Sequence, residues 1–146
     1  MYESILSLHS YWAAAVLGLL FIAALNALVG LSKKRAFLPK DRQIALIALI
    51  FSHIQLVIGV VLLLTSPKMD AAKQLGMGAV MKNADLRLVL VEHPLMNLIA
   101  LMLITIGWSK HKKDITDAGK FKKIGYLYAV GLIILLLRLP WAQWLS

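Results

Sequence analysis

Cysteine is absent from this chain, which excludes disulfides, thiolate metal sites and covalent CxxCH haem attachment. Charge is scarce, at 16% of residues, and acid scarcer still: seven Asp and Glu stand against sixteen Lys and Arg. A four-proline, nine-glycine chain of 146 residues is neither collagenous nor low-complexity, and its apolar content excludes disorder. No HExxH, P-loop, GxGxxG or nucleophile–base arrangement occurs. No linker or internal repeat divides the chain, so residues 1–146 read as one domain.

What is abundant is apolar surface. Hydrophobic residues make up 60% of the chain, against roughly 45–50% in soluble domains, and the mean hydropathy is +0.78. A single soluble core of this size cannot hide that much. Four stretches are nearly free of charge: residues 4–32, 43–67, 88–109 and 124–146. Each has at least the about 20 residues needed to cross a bilayer as a helix, and none alternates as a barrel strand would. The expected fold is an all-α, integral-membrane, up-down four-helix bundle.

The net charge of +9 resembles a nucleic-acid signature until its distribution is considered. Five Lys/Arg lie in residues 32–42 and six in residues 110–123, against four in residues 68–87. The positive-inside rule places the first and third connectors in the cytoplasm and both termini outside. The expected location is a bacterial inner membrane, with the termini on the periplasmic side. Anionic lipid headgroups, not nucleic acid, account for the basic excess. The acidic start MYES lacks the basic region of a cleaved signal peptide. Tyr2, Tyr11, Trp12, Trp141 and Trp144 are expected at the outer membrane interface, and Trp108, Phe121, Tyr126 and Tyr128 at the inner one.

A polar group inside a span is costly, about 2.5 kcal/mol or more for a charge at the bilayer centre, so each needs a partner. His9, Asn26, Ser52, His53, Gln55, Glu92, His93, Asn97 and Arg138 are such residues, with Arg87 and Lys68 at the outer rim; His111 is expected to be solvated in a basic loop. At 1.5 Å per residue His9, His93 and Arg138 fall at one level in the outer half, with His53 nearer the midplane. Asn97 follows His93 by four and shares its direction, and Pro94 is expected to kink the third span.

Two neutral imidazoles at matched depth suit the iron of a non-covalent b-type haem, and arginines suit its propionates. The candidate ligands are His9, His93 and His53, with Arg138, Arg87 and Asn97 in support. The bland alternative is interhelical hydrogen bonding with a structural Glu92–Arg138 pair. Met69, Met77 and Met81 raise a weaker case for copper, and Glu92, His93 and His53 for a proton path.

Residues 8–13 (LHSYWA), 51–69 (FSHIQLVIGVVLLLTSPKM), 91–110 (VEHPLMNLIALMLITIGWSK) and the RLPW at 138–141 resemble a group of small four-span Bacteroidota membrane proteins commonly called cytochrome b. That resemblance covers nearly the whole chain and implies family ligands at His9, His53 and His93. A more distant likeness, at fold level only, is to the four-span haem-binding type of protoporphyrinogen oxidase. The expected function is haem-based electron transfer with quinone or other membrane subunits. The alternatives are an accessory subunit without redox activity and a porphyrin oxidase.

Overall fold

The computed structural model describes residues 1–141 and 144. All regular elements among them are helical. Helices α1 (Tyr2–Ser32) and α2 (Pro39–Thr65) are followed by three short helices, α3 (Pro67–Leu75), α4 (Met77–Lys82) and α5 (Ala84–Arg87). A π-helical turn (Leu88–Glu92) leads into α6 (His93–Lys113), and α7 (Asp117–Leu137) closes the bundle.

Three of these segments, Tyr2–Ser32, Pro39–Thr65 and Ala84–Lys113, are long and apolar enough to cross a membrane. Large apolar side chains such as Phe21, Val57, Leu64, Met102 and Ile133 cover the outside, as expected of a bundle whose solvent is hydrocarbon. α7 is shorter in apolar reach, because Asp117, Lys120, Lys122 and Lys123 occupy its first two turns. It starts seven residues before the expected fourth span and ends at Leu137, with Arg138 as its C-cap. The rest of that expected span includes residues 142, 143, 145 and 146, which lie outside the described residues.

Each long helix turns one stripe inward at alternating steps of four and three residues. On α1 it runs His9, Ala13, Val16, Leu20, Ala23, Ala27, Gly30; on α2, Asp41, Ala45, Ala48, Ser52, Gln55, Gly59, Leu62; on α6, His93, Asn97, Ala100, Ile104, Gly107, His111. Such spacing is that of a left-handed bundle seam. α1 packs on α2 and α7, and α6 packs on α7 and α2, so α1 and α6 face each other across a diagonal. The other diagonal is bridged where the Tyr128 hydroxyl donates to the Ala45 carbonyl at 2.9 Å.

Small residues set how closely the helices approach. A Cβ on Gly131 would lie 2.7 Å from Ile104 Cγ1, and one on Gly107 would lie 2.9 Å from Leu127 Cβ. On the α1 side Gly30 receives the Phe121 ring and Gly125 receives Leu28. Trp108, Phe121 and Tyr128 are therefore core residues instead of interfacial ones, whereas Tyr11, Tyr126 and Trp141 of that expected group are exposed. Trp12 is also drawn inward: it stacks on Phe51 and donates to the Phe51 carbonyl at 2.9 Å.

The turns follow from local chemistry. α1 ends with Lys34 in the left-handed region (φ 55°), its N–H on the Leu31 carbonyl and that of Arg35 on Gly30, a Schellman ending with lysine where glycine is usual. The Asp41 carboxylate then accepts from Leu38 N, Asn26 Nδ2 and Arg35, satisfying the first turn of α2 and tying it to α1. At the other tight turn, Thr116 caps α7 by accepting from Gly119 N, while Asp114 accepts from Thr116 and from Lys123 Nζ at 2.6 Å. Ser66 and Asn83 cap α3 and α5, and Gly76 (φ 88°) makes the bend between α3 and α4.

Two outcomes test this packing. Gly131→Leu should lower stability by about 1–3 kcal/mol through overpacking, whereas Gly18→Ala, which meets open space, should be neutral or slightly stabilising; unfolding in mixed micelles measures both. Lys123 and Thr116 hold the Asp114 carboxyl well below its ordinary value of 3.8. A depressed carboxylate stabilises the fold above its unfolded-state pKa and stops doing so as pH falls. Stability should therefore decline as pH drops below 3.8, and Asp114→Asn should make that decline shallower.

Candidate functional site: a histidine-lined cavity at the terminal end

The end of the bundle that carries both termini and α3–α5 differs from the end with the two tight connectors. There the inward stripes change from Ala, Gly and Leu to His9 on α1, Gln55 on α2, and His93 and Asn97 on α6. Because α7 stops at Leu137, the fourth wall at this level is the chain past it, Leu139 and Pro140. The result is a cavity of about 270 Å³ whose polar lining includes those four side chains.

The two rings meet across the diagonal with centroids 6.3 Å apart and planes at 87°. His93 is fixed from both sides. Its Nδ1 lies 3.0 Å from the Arg138 carbonyl, and since a carbonyl only accepts, Nδ1 carries the proton. Nε2 is thereby the acceptor, and the Asn97 amide donates to it at 3.3 Å. His9 is held less directly: Gln55 Nε2 donates to the His9 carbonyl at 2.9 Å. Gly59, one turn after Gln55, leaves space beside the ring, and a Cβ there would lie 3.4 Å from His9 Cε1.

Among the described residues, three buried polar atoms on side chains that line this cavity have no hydrogen-bond partner: His9 Nδ1, Gln55 Oε1 and Asn97 Oδ1. Leaving a buried polar group unpaired costs about 1–3 kcal/mol, so three such atoms on side chains around one cavity set this end of the bundle apart.

The π-helical turn explains how His93 reaches it. Pro94 has no N–H to offer the Leu90 carbonyl, and the chain widens at Leu88–Glu92, where His93 N bonds back to Leu88 O. The extra residue places Glu92 next to two guanidiniums: Arg87 Nε at 3.2 Å and Arg138 Nε at 3.9 Å. Arg87 also donates to the Met81 carbonyl at 2.8 Å. The rim thus carries two cations on one carboxylate, with Lys68 also on the lining.

Two histidines lie elsewhere. His53 is exposed on the bundle's outside, its Nδ1 on the Leu49 carbonyl and Nε2 3.5 Å from Thr105 Oγ1. It is one residue off the Ser52–Gln55–Gly59 stripe, so helical phase keeps it from joining His9 and His93. His111 is buried instead of solvated, packed against Trp108 and Phe37. Gln55 stands out in the sequence as a polar residue of the second span but not as part of the site; about 200° of helix rotation separates it from His53, so only one of the two could face inward. The buried Ser52 three residues earlier was the available signal.

Met77 and Met81 are exposed on α4, and Met69 lies on α3. Among the described residues no group of three or more His, Asp or Glu is placed to hold a metal ion by itself. Two imidazoles suit a metal that brings its own equatorial ligands.

The unpaired amide oxygens make a stability prediction. Gln55→Met removes one hydrogen bond, worth about 0.5–1.5 kcal/mol, and also one unpaired oxygen, which costs about 1–3 kcal/mol. The variant should be as stable as the wild type or more so in detergent unfolding. A loss above about 2 kcal/mol would show that Oε1 has a partner in the purified protein.

No family profile matches this sequence, no curated protein matches it, and no solved structure matches its fold.

Proposed function

We propose that the protein binds a b-type haem between His9 and His93 and passes electrons within a bacterial inner membrane. The supporting observation is the ring pair itself. Imidazole nitrogens bind a metal at about 2.0–2.1 Å, which puts two rings on opposite sides of one ion about 6 Å apart by centroid; the observed separation is 6.3 Å. The haem supplies one-electron chemistry at its iron; the chain supplies ligands, orientation and charge.

The residues divide that work. Arg138, through its carbonyl, fixes the tautomer and direction of His93, as an outer partner of a ligating histidine does. Asn97 donates to the His93 Nε2 lone pair, the same nitrogen that would ligate a haem iron. The 270 Å³ cavity lies just under the about 300–1,000 Å³ of small-molecule sites, so a tetrapyrrole would need the Asn97 amide to give way and the outer mouth to admit its edge. There Arg87 and Arg138 are placed to exchange Glu92 for propionates. His53 has no part in this arrangement. In the proposed topology α7 is the fourth span, both termini face the periplasm, and the redox partner is a quinone or a neighbouring membrane subunit.

Absorption spectroscopy of the detergent-purified protein tests the reading. A Soret band that sharpens and shifts on reduction is expected; His9→Ala and His93→Ala should each lose it, and His53→Ala should keep it. A colourless protein with full helicity, co-purifying with other subunits, would overturn haem binding in favour of an accessory role.

A further inference from the structure

At the opposite end of the bundle, four aromatic rings join into one platform. Trp108 and His111 lie 4.5 Å apart by centroid, His111 and Phe37 5.5 Å, and Phe37 and Phe121 5.0 Å. Trp108, His111 and Phe121 are buried. Cations lie over this platform from four parts of the chain. Arg42 of α2 is 5.0 Å from the Trp108 ring and Lys112 of α6 is 5.8 Å from the same ring. Lys120 of α7 is 5.6 Å from Phe37, and Arg35 of the first connector is 5.3 Å from Phe121.

Two of the three acids at this end are already used. Asp41 pairs with Arg35, and Asp114 with Lys123. Among the described residues Arg42, Lys112 and Lys120 have no ion-pair partner, nor has the exposed Asp117, and the two rings beneath the three cations, Trp108 and Phe37, both pack on His111. Cation–π attraction, worth about 0.5–1 kcal/mol at exposed sites, explains where each side chain rests but does not neutralise three like charges. An anion does.

The surroundings say which kind. Arg42 and Lys112 flank the outer groove between α2 and α6. Eleven residues along α2 from Arg42 and seven back along α6 from Lys112, His53 and Thr105 meet at 3.5 Å. On this face Ile50 of α2 is exposed just before His53, and Met102 of α6 is exposed one turn beyond Thr105. A phosphate seated on the cations thus lies at the head of an apolar groove, which accommodates acyl chains. A free phosphate would gain nothing from the groove.

We propose that Arg42, Lys112 and Lys120 form a specific site for the phosphate of an anionic phospholipid whose acyl chains lie in the α2–α6 groove. This site is independent of the haem reading. It differs from the diffuse attraction of basic loops to a charged leaflet because three cations from three helices converge on it.

The test uses the full chain in neutral detergent, with thermal unfolding followed on adding phosphatidylglycerol, phosphatidylcholine or inorganic phosphate. A ligand that binds only the folded state raises the melting temperature with its concentration. Phosphatidylglycerol should raise it, while phosphatidylcholine and inorganic phosphate leave it unchanged. Arg42→Gln/Lys112→Gln should weaken the response about tenfold, in line with roughly 1.4 kcal/mol of lost binding. Lys33→Gln/Lys110→Gln removes equal charge from the same end and should keep the response. If the first pair folds poorly, Lys120→Gln alone should still weaken it. Equal losses in the test and control pairs would show diffuse attraction and overturn the site. An equal response to inorganic phosphate would overturn the lipid as occupant.

Discussion

Helices in lipid gain little by hiding apolar side chains from one another, so how closely their backbones approach decides whether a bundle holds. Here that approach is concentrated on α7. Gly125 accepts Leu28 of α1, Gly131 accepts Ile104 of α6, and Gly107 of α6 accepts Leu127 in return. α1 and α6 stand across the bundle from each other, so their separation is inherited largely from what α7 and α2 allow. The 6.3 Å between His9 and His93 is in this sense set by glycine contacts about 16 Å farther down α6, counting eleven residues from Ile104 to His93.

The two ends of the bundle treat polar groups in opposite ways. At the connector end every acceptor of Asp41 is used, by Asn26, Arg35 and the α2 backbone. At the terminal end three buried polar atoms are left without partners around one cavity. A bundle stabilised only by polar contacts between helices would pair both ends. Among the described residues the unpaired atoms lie at the terminal end alone, so the connector end is where the fold's own contacts satisfy it most fully. The cationic platform adds a second unbalanced feature, of charge instead of hydrogen bonding.

Much of this is visible in the amino-acid order, because hydrocarbon as solvent leaves few options. Long uncharged runs had to be helices, and the matching depth of His9 and His93 followed from counting residues. Phase was harder to read. These helices are apolar nearly all round, so no polar face shows which side turns inward, and His53 is as conspicuous in sequence as the inward Gln55. Only the four-three spacing through Ser52, Gln55 and Gly59 separates them. The same ambiguity hid His111, whose basic neighbours suggest solvent although it continues the Asn97–Ala100–Ile104–Gly107 stripe into the core. The start of α7 was obscured by charge: Thr116 and Asp114 cap a helix well before its apolar stretch begins.

The π-helical turn at Leu88–Glu92 has a consequence for how such a protein can change. One surplus residue in a helix rotates everything beyond it by about 100°, and the widened turn absorbs that rotation between α5 and α6. The segment that presents Arg87 is thereby uncoupled in phase from the one that presents His93 and, farther along, the glycine clasp. Gain or loss of a single residue in the turn would turn the rim past the cavity while leaving the imidazole pair and the α6–α7 contact in register. The charge facing the mouth is thus an adjustable part of the molecule, separable from the chamber beneath it.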